Sequence, residues 1–270
     1  LRPTMRAPVR HLILVLGDQL NHDSAVFDDF DPRQDAVWMA EVDEESTRVW
    51  SHPARIVTFL SAMRHFAEGL SERGWRVHYR RLGEHGATTL AEALDEDVRV
   101  LQPDSVRWVH AGEFHLEQAL TQVVDGSGIP NERCMDRHFL CTPADFAQWA
   151  KGKREWRMEW FYRWQRQRHQ VLMEGKQPLG GQWNFDAENR RSFDARGPGW
   201  VPAPRRFAPD AITREVIDLV RERFAAHPGA LDDFDWPLTA TQAQMALDDF
   251  IEHRLPLFGR YQDAMWQAEP

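Results

Sequence analysis

Four short strand-like runs constrain this chain most: HLILVLG at 11–17, AVWMAEV at 36–42, WRVHYRRL at 75–82 and SVRWVH at 105–110. The first two are almost wholly apolar, the pattern of strands covered on both faces. Between them the chain switches to helical spacing. Ser51 is expected to cap a helix with Pro53 in its first turn, and Ile56, Phe59, Leu60, Met63, Phe66 and Leu70 recur on one side until Gly74 ends it. A second helix is expected over 88–101 and a third over 113–125, after which DGSGIP leads to a short fifth strand near Arg133. Alternating strands and helices require parallel pairing through right-handed crossovers. The expectation is therefore an α/β fold, a doubly wound parallel five-stranded sheet, over 10–140.

Strand signals stop after Thr142. TPADFAQWAKG places Thr142, Pro143 and Asp145 as a helix start, a further helix is read over 156–173, and Gly175, Pro178, Gly180 and Gly181 break it. Residues 186–210 carry four prolines and read as an irregular connector, followed by helices over 211–226 and 239–253. This predicts a connector over 141–235 and the start of an all-α domain over 236–270.

The net charge of −9 argues against a polyanionic partner, but its distribution does not. Between Arg133 and Phe207, 15 Lys or Arg face 8 Asp or Glu, and six of the 12 tryptophans lie there. Cations interleaved with stacking aromatics suit nucleic acid. No run approaches the roughly 20 apolar residues of a membrane helix, and two cysteines indicate no disulfide framework, so a reducing cytoplasm is expected. LRPT, before Met5, is set aside as lying outside the fold.

Ligands of open parallel sheets bind beyond the carboxyl ends of the strands. Gly17, Asp18 and Gln19 follow the first strand, and Glu41 and Glu45 the second. Gly17 permits close backbone approach; the others supply acceptors and one amide suited to a neutral heterocycle or a ribityl chain. The competing reading is a turn with surface acids. No GxGxxG or Walker loop supports a dinucleotide or triphosphate. Cys134, His138 and Cys141 do not make a four-ligand zinc site, and the two cysteines read as buried thiols; Glu113 reads as an ordinary acid in a first helical turn. Trp156, Trp160 and Trp164 form one stripe expected to pack inward, leaving Arg163, Arg166 and Arg168 on an exposed face that suits phosphate. In GGQWNFDAENR, Trp183 and Phe185 are expected to pin the loop, with Asp186 and Arg190 among its polar tips.

LILVLGDQL, FLSAMRHF (59–66), MEWFYR (158–163), GGQWNFDAENR (180–190) and GRYQDAM (259–265) together resemble the photolyase-related proteins of the iron-sulfur bacterial cryptochrome and prokaryotic (6-4) photolyase family. Most of that family reads MEYFYR where this chain has MEWFYR. The resemblance implies a light-driven repair flavoenzyme acting on pyrimidine (6-4) photoproducts in damaged DNA, a monomer when intact. It implies 6,7-dimethyl-8-ribityllumazine as antenna in the α/β domain, which supplies a ligand for Gly17, Asp18, Gln19, Glu41 and Glu45. FAD and a four-cysteine [4Fe-4S] cluster belong to a helical domain, and Cys134 and Cys141 cannot hold that cluster. The chain is thus expected to be the amino-terminal part, inactive alone and without catalytic residues, with Tyr261 as an edge contact to FAD. Its positions Val216, Leu219, Val220, Phe224, Met245, Leu247 and Phe250 are expected to lack a domain that buries them. The resemblance places Arg163, Arg166 and Arg190 toward DNA. Asp186 and Asp263, beside that surface, are explained either by pairing with Arg190 and its neighbours or by a hydrated Mg²⁺. The alternatives are a cryptochrome-type blue-light photosensor and an isolated lumazine- or flavin-binding module.

Overall fold

A computed structural model describes residues 8–265. The LRPT segment and the residues after Met265 lie outside this range. The described chain forms two compact units, one taking in the chain up to His138 together with Arg206–Gln242, the other Phe139–Arg205 and the chain from Ala243 onward.

The first unit holds the sheet. β1 (His11–Leu14), β2 (Ala36–Ala40), β3 (Val77–Arg80), β4 (Ser105–Val109) and β5 (Asn131–Cys134) lie in the order β3-β2-β1-β4-β5. Every pairing is parallel. The chain winds outward from β1 in both directions, as expected. Side chains alternate across the sheet, so the apolar runs supply two cores at once. On one face Leu12 and Leu14, with Trp38 and Trp108, pack against α3 (Leu90–Leu101) and α4 (Phe114–Ser127). On the other, Ile13, Val37 and Met39 pack against Met63, Phe66 and Leu70 of α2 (Pro53–Glu72).

Leu14 is paired with Trp38 on one side and Trp108 on the other, a row across the three central strands. Each indole is fully buried, removing roughly 150–250 Å² from water, on the order of 4–6 kcal/mol. A buried indole N–H needs an acceptor. Trp38 Nε1 donates to Asp97 on α3 at 2.8 Å, and Trp108 Nε1 to Glu117 on α4 at 3.2 Å. These two bonds fix how far along the sheet each helix sits.

Local caps set the boundaries. Thr89 and Glu92 form a capping box at α3. At α2 the structure corrects the expected cap: His52, not Ser51, is the N-cap and accepts from Ala54 N, while Ser51 Oγ donates to Val49 O. Gly74, at φ +78°, ends that helix in the left-handed conformation that an L side chain resists.

α7 (Ala211–Arg223) also belongs to this unit and packs along α2. Val216, Val220 and Phe224 are buried there and Leu219 is partly buried, contrary to the expectation that they would lack a partner. The expected connector over 141–235 therefore divides near residue 206. Met245 and Leu247 are exposed and Phe250 is half-buried.

One buried charge pair joins β2, α2 and α7. Glu41 and Arg64 are both nearly inaccessible, and Arg64 Nε and Nη2 reach the two Glu41 oxygens at 2.8 and 2.9 Å. Tyr79 Oη and Leu82 N also donate to Glu41, and Arg64 Nη1 donates to Glu215 of α7. All carboxylate lone pairs find donors, the condition for tolerating a buried ion. Arg64→Met is expected to destabilise the unit by about 3–5 kcal/mol, because it strands a buried carboxylate. Glu215→Gln, on the exposed side, is expected to cost less than about 1 kcal/mol. Urea unfolding followed by circular dichroism reads both; equal losses would contradict this account.

Candidate functional site

The winding of the chain reverses between β1 and β4, and a cavity of about 150 Å³ opens at the carboxyl ends of the strands there. Gly17 and Asp18 enter it from the end of β1. Glu45 and Ser46 come from α1 (Asp43–Thr47), which follows β2; Phe59, Leu60 and Met63 come from α2. Gly112, Glu113 and Leu116 close it from the start of α4. One wall is thus apolar and aromatic, and the rim acidic.

Residue 17 leaves little room for a side chain. A Cβ on residue 17 would lie 3.0 Å from Met63 Sδ and 3.5 Å from Phe59 Cδ1. Phe59 is itself steadied by the Arg55 guanidinium, 5.0 Å above its ring.

Asp18 and Glu45 lie open to solvent but are walled in by neighbouring protein. Burial is the first cause that raises the carboxyl pKa of each. Repulsion from Glu113 adds to both. Glu113 itself is partnered, by Arg48 at 3.2 Å and His115 at 3.1 Å. Asp18 and Glu45 therefore face the cavity as acceptors looking for donors.

Two expected acceptors have other roles. Glu41 contributes to the wall, but its carboxylate is consumed by Arg64, Tyr79 and Leu82. Gln19 is absent from the lining; its Nε2 donates to the carbonyls of Val109 and His110, tying the β1 loop to the end of β4. Glu113 and Gly112 were not expected at the site. Their place just beyond β4, the strand beside β1, was the available signal.

In the second unit, α5 (Pro143–Ala150) and α6 (Met158–His169) pack through Phe146, Trp149, Phe161 and Trp164. The capping box of Thr142 and Asp145 opens α5 as expected. Arg168, then Thr142, hold the Asp145 carboxyl down to about 2. The expected inward tryptophan stripe is corrected. α6 begins only at Met158, because Arg157 is its extended N-cap, so Trp156 precedes the helix and is 65% exposed; Trp160 is 46% exposed. Phe161 takes the inward position instead.

Arg166 is corrected as well. It is buried, 7% exposed, and its guanidinium donates to Val171 O and Leu172 O, tying the turn after α6 back to the helix. Arg163 and Arg166 both lie over the Trp183 ring, at 5.3 and 5.4 Å, so Trp183 pins its loop through cations. Arg163 also pairs with Glu159. Arg190 sits 3.6 Å from Asp263, the ion-pair arrangement; among the described residues no group of three or more His, Cys, Asp or Glu is placed to hold a metal ion. Tyr261 packs on Phe193 at 4.8 Å. Cys134 and Cys141 are half-buried free thiols, and no described helix is long and apolar enough to cross a membrane.

The raised pKa values at the cleft have a stability consequence. A carboxyl whose pKa is higher folded than unfolded costs nothing below the unfolded value, and its ionisation opposes folding once the pH passes the folded value. Asp18→Asn and Glu45→Gln are therefore expected to leave Tm unchanged or raise it at about pH 7, with no gain at about pH 3. A marked fall in Tm at about pH 7 would show that the two carboxylates support the fold rather than wait for a ligand.

The chain matches the family of deoxyribodipyrimidine photo-lyase-related proteins over residues 13–236. It is 39% identical over 260 residues to a (6-4) photolyase of Agrobacterium fabrum, an alignment covering 96% of this chain and 51% of that protein. The chain thus spans about half the length of that relative. An uncharacterized protein of Acanthamoeba polyphaga mimivirus is 23% identical over 144 residues, which is 52% of this chain and 71% of that protein. With a family match over most of its length and a curated relative at this identity, the chain belongs to the deoxyribodipyrimidine photolyase-related proteins.

Proposed function

We propose that this chain supplies the antenna-chromophore cleft and a nucleic-acid-facing surface to a light-driven flavoenzyme that repairs (6-4) photoproducts in DNA. The observation that carries the reading is the cleft at the β1/β4 reversal, apolar on one wall and acidic at the rim, in a chain 39% identical to a (6-4) photolyase.

The residues fit a ribityllumazine. A cavity of about 150 Å³ is below the roughly 300–1,000 Å³ of drug-sized sites. It takes one flat ring system against Phe59, Leu60 and Met63, with the hydroxylated chain running to the mouth. Asp18 and Glu45 accept from hydroxyl or ring N–H donors there, and Ser46 offers a hydroxyl. Gly17 leaves room for the ring edge. Bound there, the lumazine would absorb near-ultraviolet or violet light and pass the energy to a flavin. The protein's part is to orient the ring and keep water from its apolar face.

Two cysteines cannot supply the four thiolates of an iron–sulfur cluster, so this reading assigns the chain no cluster ligand. Tyr261 keeps its proposed place at the edge of the flavin. For DNA, the band between Arg133 and Phe207 supplies the positive charge, with Arg163 and Arg190 as its phosphate contacts. Arg166 acts behind them by holding the end of α6. The reading includes a cytoplasmic protein that works as a monomer.

The test is a titration of the chain with 6,7-dimethyl-8-ribityllumazine, followed by absorbance and fluorescence. One saturable site is expected, with binding weakened at least about tenfold by Gly17→Val, a loss of about 1.4 kcal/mol or more. Failure of the unaltered protein to bind, or equal binding by the variant, would overturn the assignment.

A further inference from the structure

The cleft's acidic wall stands on an element that cannot stand alone. α1 is five residues long, well short of the roughly 12–15 that an isolated helix needs in water. Its N-cap, Val42, offers no side-chain bond. Yet α1 carries Glu45 and Ser46 into the cavity.

Its anchor comes from 180 positions along the chain. Arg223, at the carboxyl end of α7, grips both Asp43 oxygens, Nε to Oδ1 at 2.7 Å and Nη2 to Oδ2 at 2.5 Å. The fork-to-carboxylate geometry fixes direction as well as distance. Arg223 and Asp43 are each about one-third exposed, so the pair works at the edge of the core rather than in open solvent.

Two further links run the same way. Arg64 holds Glu41 at the cleft wall and, through Nη1, Glu215 of α7 at 2.9 Å. Ile56 and Leu60 line the cavity while packing in one cluster with Val216, Ile217 and Val220 of α7.

We infer that α7 is the outer brace of the cleft, and that Arg223 is a positioning residue which sets α1, and with it Glu45, for the ligand. This rests on the reading of the cleft as a ligand site, but the brace itself is a property of the protein without ligand. Glu215 adds to it from an exposed position and so contributes less.

Arg223→Gln keeps the length of the side chain and removes the charge. Arg221→Gln is the control, since Arg221 pairs with Asp218 and Asp232 and makes no bond to α1. Hydrogen exchange measured by mass spectrometry on peptides spanning residues 41–50 is expected to quicken about fivefold or more in Arg223→Gln and not in the control. Peptides covering β1 and β4 should be unchanged. Arg223→Lys, which keeps the charge but loses the fork, should recover part of the protection. Lumazine affinity should weaken by a similar factor in Arg223→Gln. Exchange over 41–50 equal to the control would overturn the brace whatever the ligand does. If the unaltered protein binds no lumazine, the antenna reading falls, and the exchange result still decides the brace.

Discussion

The first unit depends on one buried pair, Glu41 with Arg64. A carboxylate and a guanidinium removed from water are costly unless geometry and extra donors recover the loss. Here Tyr79 Oη and Leu82 N complete the carboxylate, and Glu215 takes the remaining face of the cation. Removing either Glu41 or Arg64 strands the other as a buried charge, whereas Glu215 lies on the exposed side and matters less. The pair therefore acts less as a source of net stability than as a constraint: β2, the end of β3, α2 and α7 are compatible only in the arrangement that satisfies it.

That constraint shapes the cleft. Because Glu41 turns its carboxylate away to Arg64, the cavity keeps an apolar wall where the β2 end would otherwise present a charge. The free carboxylates are pushed to the rim, on Asp18 and Glu45. A flat chromophore gains from such a division, since its ring leaves water while its hydroxyls meet acceptors. Phe59 and Met63, on the helix that carries Arg64, then form the floor against which a ring can lie.

Much of the sheet was legible in the sequence, for a physical reason. A parallel strand segment buried on both faces must be apolar, and LIL of β1 and AVWMA of β2 meet that demand. Thr89–Glu92 and Thr142–Asp145 advertise helix starts through bonds made within four residues. Less legible was anything decided by partners distant in the chain. Glu41 looked like a ligand acceptor because its partner lies 23 residues on. There was a signal: Arg64 falls at helical spacing with Leu60 and Ala67, and a cation on an apolar face requires a buried acid. Gln19 carried no such mark, since its partners are backbone carbonyls. Arg166 stood in the last turn of a helix, where cations commonly close free carbonyls, yet its burial depends on the turn that follows. α7 shows the limit most clearly: its amphipathic pattern reveals a buried face but not that α2 receives it.

The central claim is that the β1/β4 cleft, with Phe59 and Met63 as floor and Asp18 and Glu45 as rim, is a chromophore site. The most direct measurement is a crystal structure of the protein grown with 6,7-dimethyl-8-ribityllumazine. The account predicts the ring against Phe59 beside Gly17, with ribityl hydroxyls within hydrogen-bonding distance of Asp18 or Glu45. A ring bound elsewhere on the protein, or a cleft that stays empty at saturating lumazine, would contradict it.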